Sequence, residues 1–553
     1  MPFELHLRIG AEEVDAAAEQ FSVRTRDGVS LATDVYLPQK PGRLPAILVR
    51  TPYDKASRYT RLRHMAKRFV EAGYVFIAQD VRGKFRSGGQ TMPYTTDVVD
   101  AYDTLDWIVA QPWSNGEVGL LGASYYGYTA WAGVASGHPA LRAAVCQVTG
   151  IDMADGHVAS RWRLDVPQLA GVDDLLQIWT ENDCFWLGVD YNQRPVDAIE
   201  EAVAALGTRA PALDTLLRNI EIGQSHNPYG ERSPLLTTQI PILHWVEWFD
   251  PGLAPMGMSD FHHFHHQPAT RHLHYLRAAA GDHSGLRLSD LPLTDDTDPA
   301  VNDAALALHV AREADELIEF FDVFLKATGK LGYRTRWEIG NGDWNTSQTW
   351  PPATTTRRFY PTSSQELAAA PHTGSGGVSW THDPKSPTPS NTNASEMWEL
   401  LSNFPDDRDI SRGPGALGFD TESLSDPLEI AGTPTAALTL QIDGPSTHLF
   451  VRLLDVAPDG TARTISSGQS VVDAATNDVQ IRIPLQPTAY RFAAGHRVRM
   501  HLSSTHHPIF AIHPGTDENP WTAHKRVRRQ HQLRVGGDTS SWIALPTLPA
   551  TPR

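Results

Sequence analysis

Ser124 stands between two glycines in the stretch "LGASYYGYTAW", Leu121 to Trp131. A serine hydroxyl is a weak nucleophile. It attacks a carbonyl only when a base takes its proton and a third group orients that base. A strand, then Gly-x-Ser-x-x-Gly, then a helix is the setting that lifts such a hydroxyl clear of a sheet. The generic motif has glycine two residues after the serine. Here Tyr126 holds that place and the glycine comes at Gly127. The competing reading is a serine that caps the helix start. In the fold that carries such a turn the acid and the histidine follow the serine in chain order, after later strands. Asp250 ends "IPILHWVEWFD", and His283 lies in "AAAGDHSG" just past the next strand. Each has an ordinary alternative. Asp250-Pro251-Gly252 reads equally as a turn, and His283 is one of 24 histidines.

The elements around these residues are those the chemistry needs. "LPAILVR", "YVFIAQD", "VGLLGAS" and "LRAAVCQV" are short, apolar and bounded by turn residues, so they read as buried strands. Between the second and third, Val98, Tyr102, Leu105 and Val109 recur at helical spacing in "TTDVVDAYDTLDWIVAQ". Strands separated by helices imply βαβ units and a mainly parallel sheet. After residue 151 the pattern turns helical, and the strand "IPILHWVEWFD" returns near residue 240. The helical block therefore reads as an insertion. "DELIEFFDVFLKATG" gives a late helix with Leu317, Phe320, Phe321, Phe324 and Leu325 on one face. "TGSGGVSWTHDPKSPTPSNTN" reads as loop from its Gly, Ser, Thr and Pro content. Beyond it, "TAALTLQID", "THLFVRLLDV", "VQIRIPL" and "HRVRMHLSS" alternate as in antiparallel sandwiches.

Composition narrows the function classes. The chain has 553 residues, enough for several domains, with 41% hydrophobic and 20% charged residues. Its 64 acidic residues outnumber 47 basic ones, which argues against a nucleic-acid partner. Two cysteines, Cys146 and Cys184, are too few for a disulfide framework or a cysteine-ligated metal. The first residues lack a basic region followed by an apolar core, and no run of about 18 apolar residues exists. The expectation is a cytoplasmic protein with no signal peptide, no membrane span and no membrane partner. Composition leaves the oligomeric state open.

These residues carry a resemblance. Gly122-Ala123-Ser124-Tyr125-Tyr126-Gly127 matches the Gly-x-Ser-Tyr-x-Gly elbow of the cocaine-esterase-like branch of the X-prolyl dipeptidyl peptidase superfamily, and accounts for the displaced glycine. The similarity runs along nearly the whole chain. "RDGVSLATDVYLP" and "PAILVRTPYDK" resemble the family's opening strands, and "QDVRGKFRSGGQ" its Asp-x-Arg-Gly loop. "WFD", "GDHSG" and "WEIGNGDWNTSQTWPP" resemble later segments. "GFDTESLSDPLEIAGTPTAAL" and "RMHLSSTHHPIF" resemble its C-terminal jelly roll. The resemblance implies an α/β hydrolase fold with an inserted helical cap and a C-terminal β jelly roll. It places the catalytic domain at 1–151 and 239–353, the cap at 152–238 and the jelly roll at 354–553. Ser124 then matches the nucleophile, Asp250 the acid and His283 the base. Tyr53, in "TPYDK", matches an oxyanion-hole hydroxyl, and the Tyr125 N–H the second donor. Asp80, Arg82 and Ser87 fall in the matching loop and read as structural, with Asp80 and Arg82 satisfying loop backbone or each other.

Two other groups invite a role. His262 and His266, four apart in "HHFHH", have metal-ligand spacing on a helix, but no carboxylate or cysteine set completes a site. No metal and no cofactor is expected. Trp162, Trp179, Phe185 and Trp186 of the helical block could line an acyl pocket or be core. Within the superfamily, α-amino-acid ester hydrolases place carboxylates two and three residues after the catalytic aspartate. Gly252 and Leu253 stand there instead. X-prolyl peptidases carry an extra N-terminal helical domain, for which an elbow at residue 124 leaves no room. "HNPYGERSPL" departs from relatives in spacing, which bears on the lid. The expectation is a serine esterase or amidase acting on a small-molecule substrate with an uncharged acyl group. The alternatives are acyl transfer on the same acyl-enzyme, an X-prolyl dipeptidyl-type aminopeptidase, and a non-catalytic carbohydrate-binding protein.

Overall fold

The computed structural model describes residues 13–40, 42–151, 194–206, 209, 213, 214, 218, 234–250, 253–388, 404–475, 478–507, 509–537 and 541–549. Ten strands of the N-terminal part form one sheet: β1 (Glu19–Arg24), β2 (Ser30–Tyr36), β3 (Leu44–Thr51), β4 (Val75–Asp80), β5 (Ser114–Ala123), β6 (Leu141–Gln147), β7 (Ile242–Glu247), β8 (His274–Ala279), β9 (Thr335–Glu338) and β10 (Trp344–Ser347). Their order is β1-β2-β4-β3-β5-β6-β7-β8-β9-β10. The run from β4 to β9 is parallel, while β1, β2 and β10 pair antiparallel at the edges. The four strands expected from the apolar runs between residues 44 and 148 are all present as β3 to β6.

The helices of this part include α1 (Leu62–Glu71), α2 (Asp97–Val109), α3 (Ser124–Ala135), α4 (Pro195–Leu206), α5 (Leu253–His265) and α6 (Asp303–Leu325). Successive side chains of a strand point to opposite faces. So Ile47, Val49, Ala143 and Val145 pack with α1 and α6 on one face. Ala46, Leu48, Ala144 and Cys146 pack with α2, α3 and the end of α5 on the other. Burial on both faces explains why these strands read as continuous apolar runs rather than alternating ones.

Two expectations need correction. On α2 the buried face is Asp97, Asp100, Ala101, Thr104, Leu105 and Ile108, while Val98, Tyr102 and Val109 are only half-buried. The helix is turned because two acids go inward. The Arg82 guanidinium pairs with Asp100 at 2.6 Å, and the Tyr125 hydroxyl donates to Asp97 at 3.1 Å. The segment "TGSGGVSWTHDPKSPTPSNTN" also contains a strand, Gly376–His382, paired along its length with Arg529–Val535. Trp380 and His382 alternate inward there, and the tryptophan is buried. Small and polar residues hide this because the partner strand supplies the pairing.

The C-terminal part is β-rich. A nine-stranded and a four-stranded sheet, antiparallel throughout, share one apolar core. Leu438, Leu440 and Leu545 come from the first sheet, and Leu449, Val451 and Met500 from the second. The two parts of the chain are joined by backbone. The Gly340 N–H donates to the Ala489 carbonyl, and the Arg491 N–H to the Gly340 carbonyl, both at 2.9 Å. Among the described residues, no helix is long and apolar enough to cross a membrane.

Candidate active site

β5 ends at Ala123 in extended backbone, and α3 starts at Ser124 with φ +55°. A non-glycine residue in the left-handed region costs on the order of 1–3 kcal/mol and persists only where its surroundings impose it. Here strand and helix are forced together. A Cβ on Gly122 would lie 1.9 Å from the Tyr126 carbonyl oxygen, and one on Gly127 would lie 2.7 Å from Thr149. Both glycines of the motif are thus required by close approach, including the one displaced from the generic position. The Ser124 side chain makes no hydrogen bond among the described residues and does not cap α3. The capping alternative is therefore not met. The serine instead lines an open cleft at the C-terminal ends of the parallel strands, which His283 also lines.

Asp250 follows β7 and His283 follows β8. The His283 Nδ1 and the Asp250 Oδ2 are 2.8 Å apart. Asp250 is fully buried, and burial pushes its carboxyl up while His283 pulls it down. An imidazole held by Nδ1–H on a carboxylate presents a bare Nε2 lone pair, the form needed to accept a hydroxyl proton. No hydrogen bond joins Ser124 to His283 among the described residues. Such contacts are often long before substrate arrives.

Tyr53 is buried beside the elbow, its ring edge-on to Tyr126 at 6.2 Å and to Tyr59 at 5.7 Å. Tyr125 lies in the first turn of α3, where backbone N–H groups lack helical partners. Its hydroxyl points away from the cleft to Asp97 and to the Tyr94 N–H.

In the Asp80 loop, Asp80 takes backbone as expected, while Arg82 has other partners. Asp80 accepts the Lys55 N–H at 2.8 Å and faces the Lys55 ammonium. Arg82 pairs with Asp27 and Asp100 rather than with Asp80. The Ser87 hydroxyl donates to the Asp80 carbonyl at 2.6 Å. Just past the end of α5, the His266 Nδ1 sits 2.6 Å from the His262 carbonyl oxygen, so one of the two spaced histidines is turned onto backbone. Leu253 is buried at the start of α5. Trp162, Trp179, Phe185, Trp186, Gly252 and Cys184 lie outside the described residues, as does most of the helical block.

Sequence reasoning missed several cleft residues. Arg61 and His309 both reach the loop that carries His283, and the Gln147 amide donates to Glu313 at 2.7 Å across the cleft floor. Arg61 and His309 come from segments with no motif, and only tertiary contact reveals them.

Residues 27–285 match the model of the X-Pro dipeptidyl-peptidase (S15 family), and residues 325–542 that of the X-Pro dipeptidyl-peptidase C-terminal non-catalytic domain. Among curated proteins, the chain is 28% identical to a cocaine esterase of Rhodococcus sp. (strain MB1 Bresler), over 96% of this chain and 99% of that protein. Its fold is similar to that of a solved α-amino acid ester hydrolase, with TM-score 0.81 and 23% identity, covering 97% of this chain and 98% of that one. An aminopeptidase from a marine sediment archaeon, Thaumarchaeota archaeon, is similar at TM-score 0.78 and 22% identity, covering 98% and 99%. With the serine elbow and both domain matches in chain order, the chain belongs to the cocaine-esterase-like serine hydrolases of the X-Pro dipeptidyl-peptidase superfamily.

Proposed function

We propose that this protein is a serine esterase or amidase that cleaves a small-molecule substrate with an uncharged acyl group through an acyl-enzyme on Ser124. The observation that carries the reading is the 2.8 Å Asp250–His283 contact behind a cleft that His283 shares with a serine in left-handed backbone. His283 Nε2 takes the hydroxyl proton as Ser124 Oγ bonds to the carbonyl carbon. The negative oxygen is met by the Tyr53 hydroxyl and the Tyr125 N–H. The tetrahedral adduct collapses as His283 returns the proton to the leaving alcohol or amine. A water then repeats the sequence to free the acid. Asp250 keeps the histidine in the required tautomer and stabilises the imidazolium. The relative named cocaine esterase supports ester hydrolysis, and the neighbours named α-amino acid ester hydrolase and aminopeptidase keep ester and peptide cleavage within the reading. Gly252 and Leu253 stand where α-amino-acid ester hydrolases place the carboxylates that hold an ammonium group, which supports an uncharged acyl group.

The architecture fits an α/β hydrolase catalytic domain over 1–151 and 239–353, a helical cap over 152–238 and a jelly roll over 354–553. The ten-stranded, mainly parallel sheet and the two antiparallel sheets with one core support that division.

Labelling by a fluorophosphonate probe, with Ser124→Ala as control, tests the reading. Wild type should be labelled and Ser124→Ala should not. The variant should lose several orders of magnitude of activity on p-nitrophenyl esters while keeping its thermal melt. A folded Ser124→Ala protein with near-normal turnover would refute the assignment. Tyr53→Phe should lower kcat by roughly 10²–10³-fold with little change in KM, because the oxyanion exists only in the transition state. A kcat within threefold of wild type would remove Tyr53 from the oxyanion hole.

A further inference from the structure

The base of a triad must be held as well as oriented, and His283 sits on a loop. From within, the Asp282 Oδ1 accepts the N–H groups of Ser284 at 2.9 Å and Leu286 at 3.0 Å. The Asp282 N–H closes the turn on the Leu286 carbonyl at 2.9 Å. From outside, a single acceptor is gripped twice. The Ser284 carbonyl, one residue beyond His283, takes the Arg61 Nη1–H at 2.9 Å and faces the His309 Nε2 at 3.1 Å. A carbonyl can only accept, so the His309 Nε2 is the protonated nitrogen. Burial, then Arg61 and Arg312, hold that imidazole neutral, with its pKa near 3.

Both donors come from elements that frame the cleft. Arg61, with φ +58°, is the last residue before α1, and His309 lies buried on α6. Among the described residues the Arg61 guanidinium has no carboxylate within ion-pair distance, and its one side-chain hydrogen bond goes to Ser284. A half-buried guanidinium without a counter-ion is desolvated at a cost. Its placement on this one carbonyl points to a specific task.

We propose that Arg61 and His309 are positioning residues, a two-donor clamp on the Ser284 carbonyl that fixes the His283 loop. The clamp keeps Nδ1 on Asp250 and Nε2 toward Ser124. It ties α1 and α6, which pack on the same face of the sheet, to the base. Small misplacements of a catalytic group cost up to about 10²-fold in rate. The inference rests on the triad reading above, so Ser124→Ala is measured alongside.

The test uses the full chain and one p-nitrophenyl ester. Arg61→Ala and His309→Leu should each lower kcat by roughly 10- to 100-fold with KM within threefold. Arg61→Lys and His309→Gln, which keep a donor, should recover most of the loss. Millimolar guanidinium should partly restore Arg61→Ala and leave wild type unchanged. Proton NMR gives a readout that packing alone does not move. The low-field resonance of the His283 Nδ1–H on Asp250, identified by its absence in Asp250→Asn, should broaden or vanish in Arg61→Ala. If folded Arg61→Ala keeps kcat within threefold and an unchanged resonance while Ser124→Ala is inactive, the clamp is refuted and the triad stands. If Ser124→Ala is active, the triad reading itself fails. Should His309→Leu not fold, Arg61→Ala, at a half-buried position, decides alone.

Discussion

At the scale of single residues, the site sets buried carboxyls against few partners. Asp250 is buried, and among the described residues its side chain bonds only to His283, which is what an acid dedicated to orienting a base requires. Asp282, next to the base, is different. Burial pushes its carboxyl up to about 8, against the pull of the two N–H groups it accepts. In the unfolded chain an aspartate titrates near about 3.9. Between these values the folded state binds a proton that the unfolded state releases, so this group's contribution to stability falls as pH rises from about 4 to about 8. Asp282→Asn keeps the Oδ1 acceptor and removes the titration. Urea unfolding at pH 5, 7 and 9 should show the variant gaining on wild type with each step upward. A stability difference that is flat across the three pH values would show that Asp282 does not titrate in that window.

At the scale of elements, the elbow depends on how closely β5 and α3 can approach. The first glycine has no space for any side chain, since its Cβ would meet backbone rather than a flexible side-chain end. Gly122→Ala should therefore destabilise the protein by about 3 kcal/mol or more, at the upper end of overpacking costs, because Tyr126 can yield only by moving α3. Denaturant unfolding measures this, and activity should fall with it because Ser124 rides on the same turn. A variant with wild-type stability and turnover would mean that the turn has slack. Helix α2 carries the complementary lesson. Its polar inward face is held by Arg50, Arg82 and Tyr125, so a helix beside the site is anchored by charges as well as by Leu105 and Ile108.

At the scale of the whole molecule, the β-rich part is docked within one residue of Asp250. Phe249, next to Asp250, packs edge-on against Phe404 at 5.1 Å and Tyr490 at 6.4 Å. Tyr490 is buried, donates to Asp455 at 2.8 Å and accepts from the Asn341 amide at 2.7 Å. A Cβ on Gly340 would come within 2.7 Å of its ring. Tyr490→Ala should cost about 3–5 kcal/mol, as for other large buried aromatics. Tyr490→Phe should cost only about 1–2 kcal/mol, for the hydrogen bonds lost. Thermal or urea melts of the two variants check the order. Equal losses would mean that the ring contributes no packing across the junction.

The sequence by itself determined the residues proposed to react and most of the elements that carry them. The turn at Ser124 and the positions of Asp250 and His283 just after β7 and β8 were legible because such a turn needs glycines at fixed spacing, and because the strands' buried faces force apolar runs. The four strands from Leu44 to Gln147 and the late helix were legible for the same reason: periodicity records burial. Tertiary structure alone decided the rest. That α2 turns two aspartates inward depends on arginines from β3 and the Asp80 loop. That Gly376–His382 is a strand depends on its partner Arg529–Val535, far along the chain. That Arg61 and His309 meet on the Ser284 carbonyl depends on α1 and α6 packing against the same side of the sheet. Hydrogen bonds between distant segments leave no period in a sequence, and these positions have none.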